Sequence, residues 1–234
     1  MKRFNKLFII LLCCVGAMSV TSCLDSDDGY SLDPELVRQY YTQMRGSYYG
    51  GTGLYANKVY FYNDTITDKN NTSKTDSLSG YGLNGGVNYT TTLAGRDSVS
   101  FVLNGVSGRV LAKEIDGEQH KGLKEAIENA GNLQIKGQIA IYNIQGQVAY
   151  MYFYPMSVEL KGLNYDGGTH DVTISFWYPG LGYYFMQDAH KVLQFPLVMD
   201  SILVDGNETV KIYDGSSYDE TAYRKALLSV QLCD

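Results

Sequence analysis

A chain of 234 residues with a formal net charge of −6 is long enough for one domain with a sizeable core. Its charge has the wrong sign for a protein that grips nucleic-acid phosphates. Of its four cysteines, Cys13 and Cys14 fall in an N-terminal apolar run, Cys23 lies just beyond it, and Cys233 is next to the C-terminus. With the first three assigned as below, neither an intramolecular disulfide nor a cysteine metal cluster is expected.

Lys2, Arg3 and Lys6 precede an apolar run at residues 7–15, and small residues lead up to Cys23. This is the layout of a signal peptide over residues 1–22. The run is shorter than the roughly 20 residues that a membrane-spanning helix needs. Val20, Thr21, Ser22 and Cys23 resemble the lipobox of bacterial lipoproteins, which implies lipidation of Cys23 and its exposure as the mature N-terminus. Two or three acyl chains hold a protein at a bilayer without crossing it, at about 0.8 kcal/mol per buried CH₂. Residues 23–31 then form an acidic tether that cannot repay the entropy of folding. Its Leu24, Asp25, Ser26, Asp27, Asp28, Gly29 stretch resembles the export signal of surface lipoproteins of the Bacteroidetes. That resemblance implies an outer-membrane lipid anchor with the body on the cell surface.

A single β-rich domain is expected over residues 32–234. It opens with a helix at 31–46, where Asp33 suits the N-cap, Pro34 the first helical position and Glu35 the positive end of the dipole. Leu36, Val37, Tyr40, Tyr41 and Met44 recur at helical spacing, and Gly46 ends the run. From residue 47 the period switches to two. Strands are predicted at 47–55, 58–62, 86–93, 98–104, 133–144, 147–160, 171–178, 183–187, 192–204 and 209–213, with a polar loop at 63–79. Turns rich in Gly, Pro and Asn fall at 143–146, 162–168, 179–182 and 205–207. Helices are predicted at 118–130, with Leu123, Ala126, Ile127 and Ala130 on one face, and at 218–228, with Tyr223, Ala226, Leu227 and Val230 at helical spacing.

The class is therefore mainly β, an antiparallel meander with two or three peripheral helices. The order helix, Gly46-Ser-Tyr-Tyr-Gly50, run of strands, late helix resembles lipocalin-like lipoproteins, whose first strand closes a barrel. Tyr48 stands where that family carries tryptophan, and the helix at 118–130 has no counterpart there. A sandwich or a partly open barrel stays open beside the lipocalin-like form. From lipobox to C-terminus the chain is also similar to uncharacterised lipoprotein families of the Bacteroidetes, a resemblance that brings no activity.

Catalytic chemistry finds little support. His120, His170 and His190 lack the i, i+4 pairing of a helical zinc site, and no metal or cofactor is expected. Gly105-Val106-Ser107-Gly108 misses the spacing of a nucleophile elbow, and Cys233 sits where a chain end frays. Gly50, Gly51 and Gly53 read as turn or bulge residues rather than a phosphate loop. A carboxylate pair for glycoside hydrolysis is neither supported nor excluded by sequence. The chain is expected not to be an enzyme.

The aromatics carry more. Residues 176–185 read as a hairpin in which Val172, Ile174 and Phe176 face the core and Trp177 faces outward, near Tyr183 on the returning strand. Tyr150, Tyr152 and Tyr154 alternate with Met151 and Phe153. Trp177, Tyr183, Tyr150 and Tyr152 are thus the candidate ligand-binding residues, able to stack on a sugar or a protein. The plainer reading is that tyrosine suits a half-buried strand position. Thr65 and Ser77, each preceded by Asp and followed by an aliphatic residue, resemble the O-glycosylation acceptor of the Bacteroidetes, and the same pattern recurs at Ser98 and Ser201. The expected function is a surface lipoprotein that binds a glycan or small apolar ligand, or else a structural or adhesive protein-interaction module. Its partners are the membrane, through its lipid, and a glycan, lipid or protein, with no nucleic acid.

Overall fold

The computed structural model describes residues 32–51, 53–61, 65–67, 73–75, 82–177, 179–215 and 220–234. Helix α1, Pro34–Met44, starts where Asp33 accepts the N–H of Glu35 at 2.9 Å, and it buries Tyr40, Tyr41 and Met44. Strand β1 is only Gly46–Tyr48, and the chain then makes a 3-10 turn at Gly53–Tyr55 where a longer strand is predicted. Next come β2 (Lys58–Phe61), β3 (Thr65–Thr67), β4 (Ser73–Thr75), β5 (Asn84–Thr91) and β6 (Asp97–Ser107). A short helix that the sequence does not announce, α2 (Gly108–Ala112), leads to a 3-10 turn at Glu118–His120 and to α3 (Lys121–Glu128).

The meander continues through β7 (Asn132–Gln145), β8 (Val148–Pro155), β9 (Val158–Tyr165), β10 (Gly168–Trp177), β11 (Gly180–Gln187), β12 (His190–Val204) and β13 (Asn207–Lys211). It ends with α4 (Glu220–Ala226) and β14 (Leu227–Cys233). The described body is mainly β and antiparallel, with four short helices among the described residues. Asp166-Gly167 and Asp205-Gly206, all at positive φ, make the tight turns after β9 and β12.

Two further predicted features are corrected. Residues 176–185 do not form a hairpin. Trp177 opposes Val198 while Tyr183 opposes Gln194, and β14 occupies the other edge of β12. β10 and β11 therefore lie one after the other along one edge of β12. In the same way β8 and β9 run end to end along the far side of β11 and β10. The second correction is β14, which falls where helix is predicted to reach residue 228. The predicted helix stops at Ala226, and Leu228, Val230 and Leu232 turn to the core at period two.

The main sheet runs from β1 at one end to β2 at the other and is not closed by a strand ladder. Its inner face holds Phe101, Phe153 and Phe195. Phe153 and Phe195 stack at 4.1 Å and 7°, and Phe101 tilts against Phe195 at 5.2 Å. Gly137 and Gly182 make room for them: a Cβ at Gly137 would lie 2.4 Å from Phe101, and one at Gly182 would lie 2.7 Å from Phe153. The rings belong to the core cluster, to which α2 and α3 supply Leu111 and Ile127.

Candidate binding surface

Strand β8 alternates without interruption. Ala149, Met151 and Phe153 are fully buried, and Tyr150, Tyr152 and Tyr154 stand half-buried on the opposite, outer face. The neighbouring strands extend that face through the register: Tyr183 opposes Tyr150 and Leu181 opposes Tyr152 on β11, while Ala140 opposes Tyr152 on β7. A register shift between Ile141 and Asn143 brings Tyr142 over the ladder, 4.5 Å from Tyr152 and 6.4 Å from Tyr150. Tyr152 and Tyr154 lie 6.2 Å apart. Aromatic pairs at these separations and tilts stabilise one another by about 0.5–1.5 kcal/mol beyond the area they bury.

A polar relay fixes one end of this face. The Tyr183 phenol donates to Gln194, Gln194 donates to Gln231 at 2.7 Å, and Gln231 donates to the carbonyls of Leu54 at 2.8 Å and Ala56 at 3.1 Å. Burial pushes the Tyr183 phenol up to about 12, with the phenols of Tyr60 and Tyr150 adding to the shift. The hydroxyl is therefore neutral at physiological pH. From Tyr142 across Tyr152, Tyr183 and Gln194 to Gln231 the outward positions carry no formal charge. Lys58, opposite Gln231, marks one rim.

Trp177 does face outward as the alternation predicts. It is 44% exposed, while Val172, Ile174 and Phe176 are 6% exposed or less. Its indole meets Tyr213 edge-on at 5.8 Å, and Tyr213 meets Tyr223 at 5.6 Å. Gly215 lies against the indole, where a Cβ would approach to 2.4 Å. By register Trp177 is on the same side of β12 as Tyr183, four residues further along, or roughly 13 Å at strand rise. All four predicted binding residues thus share the outer face. Tyr150, Tyr152 and Tyr183 adjoin, and Trp177 forms a separate aromatic nest. The sequence reading missed Tyr142, which reaches the ladder only through the irregularity in β7.

His170, His190, Ser107 and Cys233 resolve into structural roles. His170 Nδ1 lies 2.8 Å from Asp205 and holds that carboxyl below its usual range. His190 stacks on Tyr55 at 4.4 Å, and its Nδ1 lies 3.1 Å from the Asp234 carbonyl. Ser107 caps α2 by accepting the N–H of Arg109. Cys233 does not fray: it is buried in β14, its N–H bonds Asn57 at 2.7 Å, and burial pushes its thiol up. Among the described residues no group of three His, Cys, Asp or Glu side chains is placed to hold a metal ion. Ser201 is 3% exposed and bonded to Asp200, whereas Ser98 is exposed. Cys23, Ser77 and the Thr65 side chain lie outside the described residues.

No curated protein and no solved structure matches this chain. A family model does match it, from the last turn of α1 to the last residue of β12, so the whole of β8 and β11 lies inside the matched region. Over residues 43–204, then, the chain carries the domain of unknown function DUF4840, and it belongs to that family.

Proposed function

We propose that this chain is a non-catalytic, lipid-anchored binding protein of the bacterial outer surface, whose outer tyrosine face holds a neutral glycan. The observation that carries the reading is the Tyr142–Tyr152 pair, 4.5 Å apart in an uncharged surface bounded by further tyrosines. The apolar faces of sugar rings stack on aromatic rings, and phenol hydroxyls at the ring edges serve as donors and acceptors for sugar hydroxyls. The middle of that face carries no formal charge, with lysines only at its rims, Lys58 beside Gln231 and Lys136 beyond Gln138, which suits a neutral chain over an acidic one. A ligand in the sheet's interior would have to displace Phe101, Phe153 and Phe195, so the small-apolar-ligand form of the expectation has less support. Cys23 supplies the anchor in this reading, and the acidic stretch behind it the leash.

The second reading is a protein-interaction module. Enrichment in tyrosine with depletion of charge is also the composition of the core of protein interfaces. Native electrophoresis through gels cast with neutral polysaccharides separates the two, using the Cys23→Ala protein, which lacks the acyl acceptor. Retardation by a neutral polysaccharide, lost in Tyr152→Ala, is the expected result. Unchanged mobility in every gel, together with a protein partner recovered on the same face, favours the interaction module.

A further inference from the structure

Away from the tyrosine face, an open cleft of about 360 Å³ lies between three elements. Glu114, Asp116 and His120 come from the segment joining α2 to α3, Lys211 from β13 and Lys225 from α4, with Val210 and Ile212 between them. The acidic side is built firmly. Lys124 donates to the carbonyls of Lys113 at 3.2 Å and Ile115 at 3.1 Å, and Ile115 is 2% exposed. On the basic side, Lys211 is already engaged by Asp200 at 2.9 Å and Glu208 at 3.3 Å. Among the described residues, the side chains of Glu114, Asp116, His120 and Lys225 make no hydrogen bond or ion pair. Burial raises the Glu114 carboxyl, and the charges of Lys113, Lys225 and Lys124 oppose that rise. Opposite charges thus face one another across a gap.

We propose that this cleft binds a small zwitterion, an α-amino acid with an apolar side chain, its ammonium held by Glu114 and Asp116 and its carboxylate by Lys225. A bare anion entering the cleft meets Glu114 and Asp116, and a bare cation leaves Lys225 unanswered, since Lys211 is already held by Asp200 and Glu208. Only a ligand carrying both charges satisfies the two sides together, and Val210 and Ile212 offer apolar contact to its side chain. The volume sits near the lower end of the roughly 300–1,000 Å³ typical of small-molecule sites, which suits a single amino acid.

Calorimetric titration of the Cys23→Ala protein at low ionic strength tests this, with L-leucine as probe and isoamylamine and 4-methylvalerate as its single-charge counterparts. The expected result is saturable heat with leucine and none with either counterpart. Affinity should fall about tenfold or more in Glu114→Gln and in Lys225→Met, with thermal transitions unchanged or raised. Asp116→Asn serves in place of either variant that fails to fold. Absence of saturable heat with leucine, equal binding of a single-charge counterpart, or unchanged affinity in the folded variants overturns the proposal.

Discussion

Asn57 accepts the N–H of Cys233 at 2.7 Å across 176 residues of chain. The same side chain donates to the carbonyls of Tyr48 at 2.8 Å and Leu83 at 3.3 Å, and Gly50 N–H adds a bond to the Cys233 carbonyl at 2.8 Å. Tyr48 belongs to β1, Leu83 leads into β5 and Cys233 ends β14. One buried amide therefore ties together the two ends of a sheet that no ladder closes. Asn57→Ala removes three hydrogen bonds and leaves backbone groups buried without partners, at about 1–3 kcal/mol each when unsatisfied. We expect a loss of about 2–4 kcal/mol in urea unfolding. A loss below about 0.5 kcal/mol would mean that the seam is closed by other contacts.

The aromatic centre makes a second demand. A Cβ at Gly182 would stand 2.4 Å from the Gln194 carbonyl oxygen and 2.6 Å from the Phe195 Cβ. Neither can swing aside as the end of a long side chain would. Gly182→Ala should cost about 1–3 kcal/mol by overpacking, and Phe153→Ala about 3–5 kcal/mol by leaving a cavity. Chemical denaturation of both variants checks the ranking, and a neutral Gly182→Ala would contradict the close approach of β11 to β12.

Alkaline pH provides a third check. The Tyr184 phenol is buried and pushed up to about 12, the Tyr183 phenol likewise, and the Tyr48 phenol is raised by its burial. In the unfolded chain these groups ionise near the ordinary phenol value of about 10. Between that pH and about 12 the unfolded state binds fewer protons than the folded one, so stability falls as pH rises. The contribution is whole below the unfolded value and disappears as pH passes through the folded one. Each such tyrosine steepens the decline by up to about 1.4 kcal/mol per pH unit. Urea midpoints measured from pH 9 to 11.5 should drop, and Tyr184→Phe should shallow the slope. A flat profile would show that these phenols ionise freely.

Trp177 is a built-in reporter, the one tryptophan of the chain. Tyr213 packs against its indole at 5.8 Å, so Tyr213→Ala should raise the acrylamide quenching of its fluorescence. Quenching that stays at the wild-type level would mean that the contact does not shield the ring in solution.

Much of this was legible in the sequence, for a definite reason. Period-two alternation placed Tyr150, Tyr152 and Trp177 outward because each strand buries one face and the pleat permits no other choice. Residues 179–182 misled because glycine is compatible with both a tight turn and a tight contact. Here Gly180 and Gly182 are needed for the approach of Pro196 and Phe195, and β10 and β11 both pair with the same edge of β12. Tyr223, Ala226, Leu227 and Val230 fit helical spacing, while Leu228, Val230 and Leu232 fit a strand, so so short an apolar run does not fix its own period. The Asn57 tie and the charged cleft carry no local pattern at all, because their partners are brought together only by the fold.

Affinity of the Cys23→Ala protein for a neutral oligosaccharide selected by gel retardation, measured by calorimetry against the Tyr142→Ala/Tyr152→Ala double variant, bears most directly on the tyrosine face. Loss of two stacking rings should weaken binding about tenfold or more, equivalent to about 1.4 kcal/mol, with the thermal transition of the body preserved. Equal affinity in a folded double variant would contradict the assignment of that face as the binding surface.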